Sequence, residues 1–381
     1  MQRNPSLCIV GDIGTTLFGL TTAERLRRQF ARHGVAACLG VDAAANHDGP
    51  VIVARADAVI DQPLISTLIQ TPNLMLKSED TSNNAPLAAH VQSRDVPATA
   101  GLLSGKKSGA GDHGLDPRTP AELGLKFWKA LRKRETPYAF AVSPANAAAV
   151  EWRMFMGTYK GATDIVTKYL WPVPAFHATR YLASCGVSPN LVTSLGAILM
   201  VLTFWLFLRG DFALGLVAAW LMTFLDTVDG KLARVTLTSS KWGDIFDHGI
   251  DLVHPPFWYV AWGMGLGAVG LGWSPATFWW VIAAILGGYL LQRIMEGIAI
   301  KWLGLEIHIW RKLDTLFRQV TARRNPNLIL LTLGVAAGRP DWGLMAVAIW
   351  TIACLALHGV QLMQALSARR EGPLTSWLAQ G

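Results

Sequence analysis

The stretch LDTVDGKLARVTLTSSKWGDIFDHGID, residues 225–251, places five aspartates inside the most hydrophobic half of the chain. Isolated carboxylates at membrane depth are costly and rare unless they face a cavity, a metal or a partner. The spacing of these aspartates therefore indicates which helix faces they share and what chemistry they support.

Residues three and four apart share one face of a helix. Steps of three, one, three and one build a first stripe from Asp226, Asp229, Gly230, Ala233 and Arg234. Steps of four build a second stripe from Gly243, Asp247 and Asp251. A turn at TLTSSK, residues 236–241, is expected to bring the two stripes together near the cytosolic face of a membrane.

Four converging carboxylates repel one another unless cations neutralise them, and Mg²⁺ and Mn²⁺ prefer such oxygen ligands. The small residues of the stripes allow a pyrophosphate or a flat base to approach, and Arg234 offers a positive fork for phosphate. A divalent-cation transporter would also use intramembrane aspartates, and it is the alternative from another functional class. An EF-hand is excluded, because DTVDG lacks the alternate oxygen ligands and the terminal glutamate.

The full pattern, D-x2-D-G-x2-A-R-x8-G-x3-D-x3-D, resembles the signature of the CDP-alcohol phosphotransferase family, and residues 164–365 are similar to that family throughout. PNLVT, residues 189–193, resembles the family's Pro-Asn-x-x-Thr entry. The resemblance implies a membrane enzyme of six helices, usually a homodimer. Such enzymes move a phosphoalcohol group from a CDP-alcohol, often CDP-diacylglycerol, to an acceptor hydroxyl and release CMP.

The resemblance also assigns roles to the residues of the motif. It implies two divalent cations, Mg²⁺ or Mn²⁺, held by Asp226, Asp229, Asp247 and Asp251. It makes Asp251 the general base on the acceptor hydroxyl as well. It implies a CDP pocket lined by Gly230, Ala233, Arg234 and Gly243.

The charge pattern argues for a membrane rather than nucleic acid. The 381 residues carry a formal net charge of +8, and 51% of them are hydrophobic. No basic stripe interleaves with aromatic residues, as a nucleic-acid surface would require. Lys and Arg lie instead in short loops between apolar runs and predict both termini on the inner side. We expect a multi-pass protein of the inner (cytoplasmic) membrane, with the soluble domain and the active site facing the cytosol.

The chain is predicted to be an α/β soluble domain followed by an all-α membrane domain. The expected segments are a soluble domain (1–150), a linker with an interfacial amphipathic helix (151–190), a six-helix membrane domain (191–368) and a C-terminal tail (369–381). The six apolar runs lie at about 191–208, 212–236, 243–268, 275–299, 327–338 and 343–365. Four scattered cysteines indicate neither a zinc site nor a disulfide framework.

The N-terminal domain weakly resembles the nucleotidyltransferase domains sometimes fused ahead of this enzyme class. Asp57 lies where a metal-binding aspartate would, but the loop with Gly11 and Gly14 lacks a following arginine. A degenerate, structural or regulatory domain is favoured. The alternative is a bifunctional enzyme whose soluble half makes the CDP-alcohol of an inositol-phosphodiester synthesis. Within this domain, PAELGLKFWKALRKRE, residues 120–135, predicts a basic amphipathic helix.

A basic segment between the fourth and fifth apolar runs is the remaining candidate site. Arg318 and Arg323 could bind the phosphate of an acceptor such as inositol phosphate or glycerol phosphate, or attract anionic lipid headgroups. The sequence leaves both the acceptor alcohol and the donor lipid open. The predicted partners are therefore a CDP-alcohol lipid, a small hydroxyl acceptor, membrane lipids and a second copy of the chain.

Overall fold

The computed structural model describes residues 5–12, 15–35, 38–80, 84–105, 114–124, 127–239 and 241–380, apart from the side chains of residues 130, 241–248 and 250–253. The chain divides into two compact units. The first contains Met1–Tyr159, Ala183–Gly186 and Arg234–Leu237. The second contains Lys160–Leu182, Val187–Ala233 and Thr238–Gly381.

The first unit mixes strands and helices. Its strands are β1 (Ser6–Val10), β2 (Thr16–Leu17), β3 (Leu20–Thr21), β4 (Cys38–Leu39), β5 (Pro50–Arg55), β6 (Ala58–Ile60), β7 (Leu74–Lys77), β8 (Pro86–Gln92), β9 (Asp116–Arg118), β10 (Phe127–Trp128), β11 (Lys133–Arg134) and β12 (Ala139–Ala141). Its helices are α1 (Thr22–Ala31), α2 (Val41–Ala45), α3 (Gln62–Gln70), α4 (Val96–Leu103) and α5 (Ala147–Gly157).

A six-stranded sheet in the order β4-β1-β5-β8-β7-β9 forms the centre of this unit. β1 is parallel to β4 and β5, whereas β8 is antiparallel to β5 and β7. Residues 51–54 of β5 are fully buried, as expected for a central strand covered on both faces. α1 and α3 pack on one face, and α2 and α4 pack on the other. The predicted α/β domain is confirmed.

Helix α1 shows how local sequence sets the fold. Thr21 caps the helix, since its hydroxyl oxygen accepts the backbone N–H of Glu24 at 3.2 Å. Leu26 and Phe30, four residues apart, are fully buried against the sheet. Gly34 follows the helix with φ +80°, a left-handed conformation that favours glycine.

The basic amphipathic helix predicted over residues 120–135 was wrong. Among the described residues of this segment, β10 and β11 pair antiparallel, with Trp128 opposite Lys133. Arg132 turns the chain in a left-handed conformation, with φ 49°. The Lys133 ammonium is buried, lies 2.5 Å from the carbonyl oxygen of Gly157 and pairs with Glu135. Because this lysine points inward, the basic residues do not share the solvent face that an amphipathic helix would require.

The second unit is helical. Its helices, including two that extend into segments of the first unit, are α6 (Pro172–Ser184), α7 (Pro189–Leu208), α8 (Phe212–Val235), α9 (Lys241–Gly265), α10 (Pro275–Ile298), α11 (Lys312–Phe317), α12 (Arg324–Ala336) and α13 (Pro340–Glu371). α6 lies in the segment 151–190, for which an interfacial helix was predicted; its interfacial position stays a prediction. The six apolar runs correspond to α7, α8, α9, α10, α12 and α13.

Four of the described helices are long and apolar enough to cross a bilayer. They are Pro189–Leu208, Phe212–Val235, Pro275–Leu303 and Pro340–Glu371. α9 begins with residues whose side chains are not described. α12 has 13 residues and is about 20 Å long, less than the roughly 30 Å of a hydrocarbon core. The count of six spans therefore stays a prediction.

Close helix contacts and buried aromatic rings hold the second unit together. Trp262 is fully buried, and its indole N–H donates to the Pro340 carbonyl oxygen at 3.0 Å. α12 and α13 approach so closely that a Cβ on Gly334 would lie 2.6 Å from the Cα of Gly343. Small residues at such crossings are typical of membrane helix pairs.

Two kinds of tryptophan environment occur in this unit. Trp258 is 4% exposed and is a core residue. Trp279 and Trp280 on α10 are 63% and 77% exposed, as an interfacial position would require.

Candidate active site

The first acidic stripe lies on the last three turns of α8. Asp229 is buried, with 4% exposure. Its Oδ2 lies 2.6 Å from the hydroxyl oxygen of Thr193, a residue of the first turns of α7. A buried carboxylate requires such donors, because desolvation otherwise disfavours its charge. The α7–α8 pair thus holds Asp229 in one position.

The start of α7 explains the position of Thr193. Ser188 is the N-cap, and its hydroxyl oxygen accepts the backbone N–H of Leu191 at 3.3 Å. Pro189 occupies the first helical position, where its missing N–H is not needed. Thr193 lies one turn further along, and its hydroxyl also lies 3.1 Å from the Pro189 carbonyl oxygen. The PNLVT segment therefore places a hydroxyl against the acidic stripe.

Asp226, one turn before Asp229, forms an ion pair with Arg324, the first residue of α12. The two side chains are 20% and 16% exposed, so solvent screens the pair only partly. Arg324 was not among the predicted site residues. The sequence shows it as one of several basic residues, and its pairing with α8 depends on tertiary structure.

The predicted phosphate-binding arginines have different surroundings. Arg323, at the N-cap position of α12, is ion-paired with Glu296 of α10, and His308 Nε2 lies 2.9 Å from the same carboxylate. The side chains of Arg323 and Glu296 are 10% and 18% exposed. Arg318 is half-buried at the end of α11. Arg323 could bind a phosphate only by sharing or leaving Glu296.

The second acidic stripe lies on α9, and its side chains fall outside the described residues. Gly243, Asp247 and Asp251 are all within Lys241–Gly265, so the expected four-residue spacing along one helix is present. The convergence of the two stripes is not tested. Among the described side chains, no group of three or more histidine, cysteine or acidic residues could hold a metal ion.

The small residues of the first stripe and its arginine have different surroundings. Gly230 and Ala233 are half-buried on α8, in the second unit, whereas Arg234 is exposed and belongs to the first unit. Arg234 lines a cavity of about 200 Å³ in that unit, together with Arg25 and Arg32. The structure therefore groups Arg234 with basic residues of α1 and its C-cap, a neighbourhood that helical spacing could not predict.

The described acidic residues fit a hard divalent cation by their chemistry. Asp226 and Asp229 offer carboxylate oxygens from one face of α8, and each already has a positive or hydrogen-donating neighbour. Oxygen donors of this kind are what Mg²⁺ and Mn²⁺ prefer. Asp247 and Asp251 would complete the set.

The expected metal-binding aspartate of the N-terminal domain is engaged by its own chain. Both Asp57 oxygens accept from the Arg55 guanidinium, at 2.8 and 2.6 Å. Gly11 is exposed with φ +95°, and Gly14 falls outside the described residues. The bidentate pair with Arg55 favours a structural role for Asp57.

A second polar network lies at the start of α12. Asp164 is buried and accepts hydrogen bonds from the backbone and the hydroxyl of Thr167, at 3.0 and 2.8 Å. Its Oδ1 also accepts from the Asn325 amide at 3.0 Å. These contacts fix the chain next to Arg324. Sequence reasoning missed Asp164 and Asn325, because neither belongs to a recognisable motif.

Residues 186–350 match the model of the CDP-alcohol phosphatidyltransferase family. This segment is a CDP-alcohol phosphatidyltransferase domain. It contains α7, α8 and α9 and therefore both acidic stripes. The predicted family is confirmed for this part of the chain. Together with the four apolar helices, the match indicates an integral membrane protein.

Three relatives illustrate how far the similarity extends. Phosphatidylinositol phosphate synthase of Streptomyces avermitilis is 37% identical over 95 residues, which are 25% of this chain and 37% of that protein. Archaetidylinositol phosphate synthase of Pyrococcus horikoshii is 32% identical over 114 residues, 30% of this chain and 56% of that protein. Cholinephosphotransferase 1 of Gallus gallus is 32% identical over 173 residues, 41% of this chain and 49% of that protein.

The chain therefore spans between 37% and 56% of the length of these relatives. The names of the relatives and the CDP-alcohol phosphatidyltransferase domain agree with the predicted enzyme class, a transferase of substituted phosphate groups.

Proposed function

We propose that the protein transfers a phosphoalcohol group, in the first place a phosphatidyl group, from a CDP-alcohol lipid to an acceptor hydroxyl and releases CMP. The observation that carries this proposal is Asp229, a buried carboxylate of the family motif held by Thr193 next to Asp226. A packing role alone would not require two acidic residues on one face of an apolar helix.

In the proposed reaction, the acceptor oxygen forms a bond to the phosphorus that carries the alcohol. The bond from that phosphorus to the bridging oxygen breaks, and CMP leaves with this oxygen. Asp251 accepts the proton of the acceptor hydroxyl, which requires hydrogen-bond reach of that group. Gly230, Ala233, Arg234 and Gly243 line the nucleotide pocket, where the small residues admit the CDP and the guanidinium binds its phosphates.

Asp226, Asp229, Asp247 and Asp251 would hold two divalent cations. When bound, the cations supply neutralisation of the charge that develops on the pyrophosphate. The four aspartates would hold these cations next to the pyrophosphate of the donor. Thr193 positions Asp229, and Arg324 balances the charge of Asp226.

For the acceptor, we propose a phosphorylated polyol such as inositol phosphate. Two of the relatives carry inositol phosphate in their names. The basic segment at residues 311–324 supplies positive charge for a phosphate, with Arg318 and Arg323 as the candidates.

The N-terminal domain is assigned a structural or regulatory role, which the Arg55–Asp57 pair supports. We propose that the protein works as a homodimer in the inner membrane, with its active site facing the cytosol.

An assay with CDP-diacylglycerol, Mn²⁺ and a panel of acceptors tests this proposal by the release of CMP. Asp251→Asn is expected to abolish turnover and to leave nucleotide binding measurable, because the amide cannot accept the proton. Exhaustive chelation is expected to stop the wild-type reaction. Wild-type turnover in Asp251→Asn would refute the base assignment.

Two controls separate this function from its alternatives. Pyrophosphate release from CTP and a phosphoalcohol by the full chain would support a bifunctional enzyme. Cation flux in proteoliposomes without any CMP formation would support a transporter.

A further inference from the structure

The first unit contains a small basic cavity. Of its lining residues, only Arg234 has a part in the proposed reaction. The cavity measures about 200 Å³, and its lining includes three arginines and one aspartate: Arg25, Arg32, Arg234 and Asp61. Its volume lies below the roughly 300–1,000 Å³ of pockets for drug-sized ligands. The space therefore suits a small compound.

Arg25 is the most informative residue of this cavity. It is 3% exposed, and its Nη2 donates to the Leu17 carbonyl oxygen at 3.3 Å. Its Nε is buried and has no hydrogen-bond partner among the described residues. Burial lowers the pKa of Arg25 to about 10, which leaves the guanidinium charged at neutral pH. The nearby Glu151 carboxylate offsets part of this burial, and an anion in the cavity would satisfy the donor that remains at Nε.

The cavity also presents acceptors. Gln29 is 5% exposed, and its amide nitrogen donates to the Ile60 carbonyl oxygen at 2.8 Å. Its carbonyl oxygen Oε1 is buried without a hydrogen-bond partner in the described part of the chain. Asp61, 7% exposed, lines the same cavity. Oxygen acceptors beside three arginines match a ligand that carries both an anionic group and hydroxyl groups.

We propose that this cavity binds the phosphate group of a small hydroxyl-bearing phosphomonoester, with Arg25 and Arg32 on the phosphate and Gln29 on a hydroxyl. The assignment concerns the first unit and shares only Arg234 with the nucleotide pocket of the proposed transferase. Phosphate suits paired guanidinium groups because each offers donors in a planar fork. The phosphomonoester could be a free polyol phosphate or a nucleotide such as CMP, which share this group.

Titration calorimetry on the full-length protein, with a chelator present, tests the proposal. The probes are glycerol 3-phosphate and CMP, with glycerol and cytidine as their uncharged counterparts. We expect saturable binding of at least one phosphate compound and none of the neutral ones. The tighter of the two phosphates identifies the source of the ligand.

Two substitutions locate the binding. Arg25→Gln is expected to weaken binding about tenfold or more, and Arg32→Gln, at the exposed C-cap of α1, severalfold. Arg27→Gln is the matched control, because Arg27 is half-exposed on α1 and pairs with Glu24. Its affinity should equal that of the wild type. If Arg25→Gln fails to fold, Arg32→Gln carries the test alone.

A third variant separates this cavity from the transferase site. Asp229→Asn should lose turnover and keep phosphate binding, so that failure of the proposed function does not remove this inference. The inference is overturned if neither phosphate binds, if the neutral compounds bind equally well, or if both arginine variants keep wild-type affinity. It is also overturned if Asp229→Asn abolishes the binding.

Discussion

At the scale of single residues, the hydroxyl of Thr193 is the hydrogen-bond donor that holds Asp229 in the acidic stripe. A carboxylate as buried as Asp229 keeps its charge only if nearby groups replace its lost hydration. Groups that orient metal ligands commonly change metal affinity or activity by about 10–100-fold when they are removed.

Thr193→Val is therefore expected to lower CMP release by about 10–100-fold at limiting Mn²⁺, because it keeps the shape and removes the donor. Thr193→Ser should restore most of the activity. Ser194→Ala is the matched control, since Ser194 is exposed on the same turn and its hydroxyl donates to the Asn190 carbonyl oxygen at 2.9 Å. The measurement is CMP release against Mn²⁺ concentration. Equal activity of the Val and Ser variants would contradict the role of the hydroxyl.

A second residue-scale prediction concerns pH. Burial raises the pKa of Asp61 from 3.8 to about 6, although Lys133 and Arg153 oppose this shift. Since the folded protein binds the proton more tightly, the contribution to stability is complete below about pH 4 and is lost as the pH rises through about 6. We expect the free energy of unfolding around α3 to fall by about 1–3 kcal/mol over this range.

Asp61→Asn should remove that pH dependence, because an amide does not titrate and still accepts the backbone N–H of Gln62. Hydrogen exchange of the α3 amides in the full-length protein at pH 4.5 and 7.5, converted to opening free energies, measures the effect. The same pH dependence in wild type and variant would show that another group titrates.

Site residues could be predicted where they share one helix, and could not be predicted where they meet only through the packing of distant segments. Asp226 and Asp229 share a helix face because of their spacing in sequence, and the structure has them there. Arg324 lies about a hundred residues away from Asp226, so only the packing of α12 against α8 reveals the pair. The site prediction for Asp247 and Asp251 stays open, because their side chains lie outside the described residues.

At the scale of secondary-structure elements, the crossing of α12 and α13 depends on two facing glycines. A Cβ on Gly334 would lie 2.6 Å from the Cα and 2.8 Å from the nitrogen of Gly343. Since both contacted atoms belong to the backbone, the helices themselves would have to separate.

We expect Gly334→Ala to destabilise the helical unit by about 1–3 kcal/mol, the usual cost of overpacking. Gly287→Ala on α10 is the matched control, because a Cβ there meets nothing within 4 Å. Thermal unfolding in detergent, followed by circular dichroism, compares the two variants. A melting temperature for Gly334→Ala equal to that of Gly287→Ala would contradict the close crossing.

Element prediction succeeded where one pattern dominated. The apolar runs predicted α7, α8, α10 and α13 because twenty or more residues of high hydropathy fit only a long helix. The helix prediction for residues 120–135 was wrong because their alternating basic and apolar residues fit both a helix and a hairpin. The structure has a hairpin in which Lys133 is buried. α12 was predicted, but its short length left the number of spans open.

At the scale of the whole molecule, two exposed cysteines allow a test of the proposed orientation. Cys38 lies in the first unit and Cys185 follows α6, and both are exposed, whereas Cys8 and Cys354 are buried. If the first unit faces the cytosol, as proposed, a membrane-impermeant maleimide should label neither exposed cysteine in intact cells. Both should react after permeabilisation.

A cysteine introduced at Asp211, in the loop between α7 and α8, is the opposite control and should react in intact cells. Mass spectrometry of the labelled peptides gives the result. Labelling of Cys38 before permeabilisation would reverse the orientation inferred from the loop charges.

The start of α12 ties three helices together through charge. Arg323 holds Glu296 of α10, and its neighbour Arg324 holds Asp226 of α8. A cation held by Asp226 would have to share this carboxylate with the Arg324 guanidinium or take its place. If a metal took the place of the guanidinium, one of the two ion pairs that join α12 to its neighbours would open, and the rigidity of this junction would then depend on metal binding.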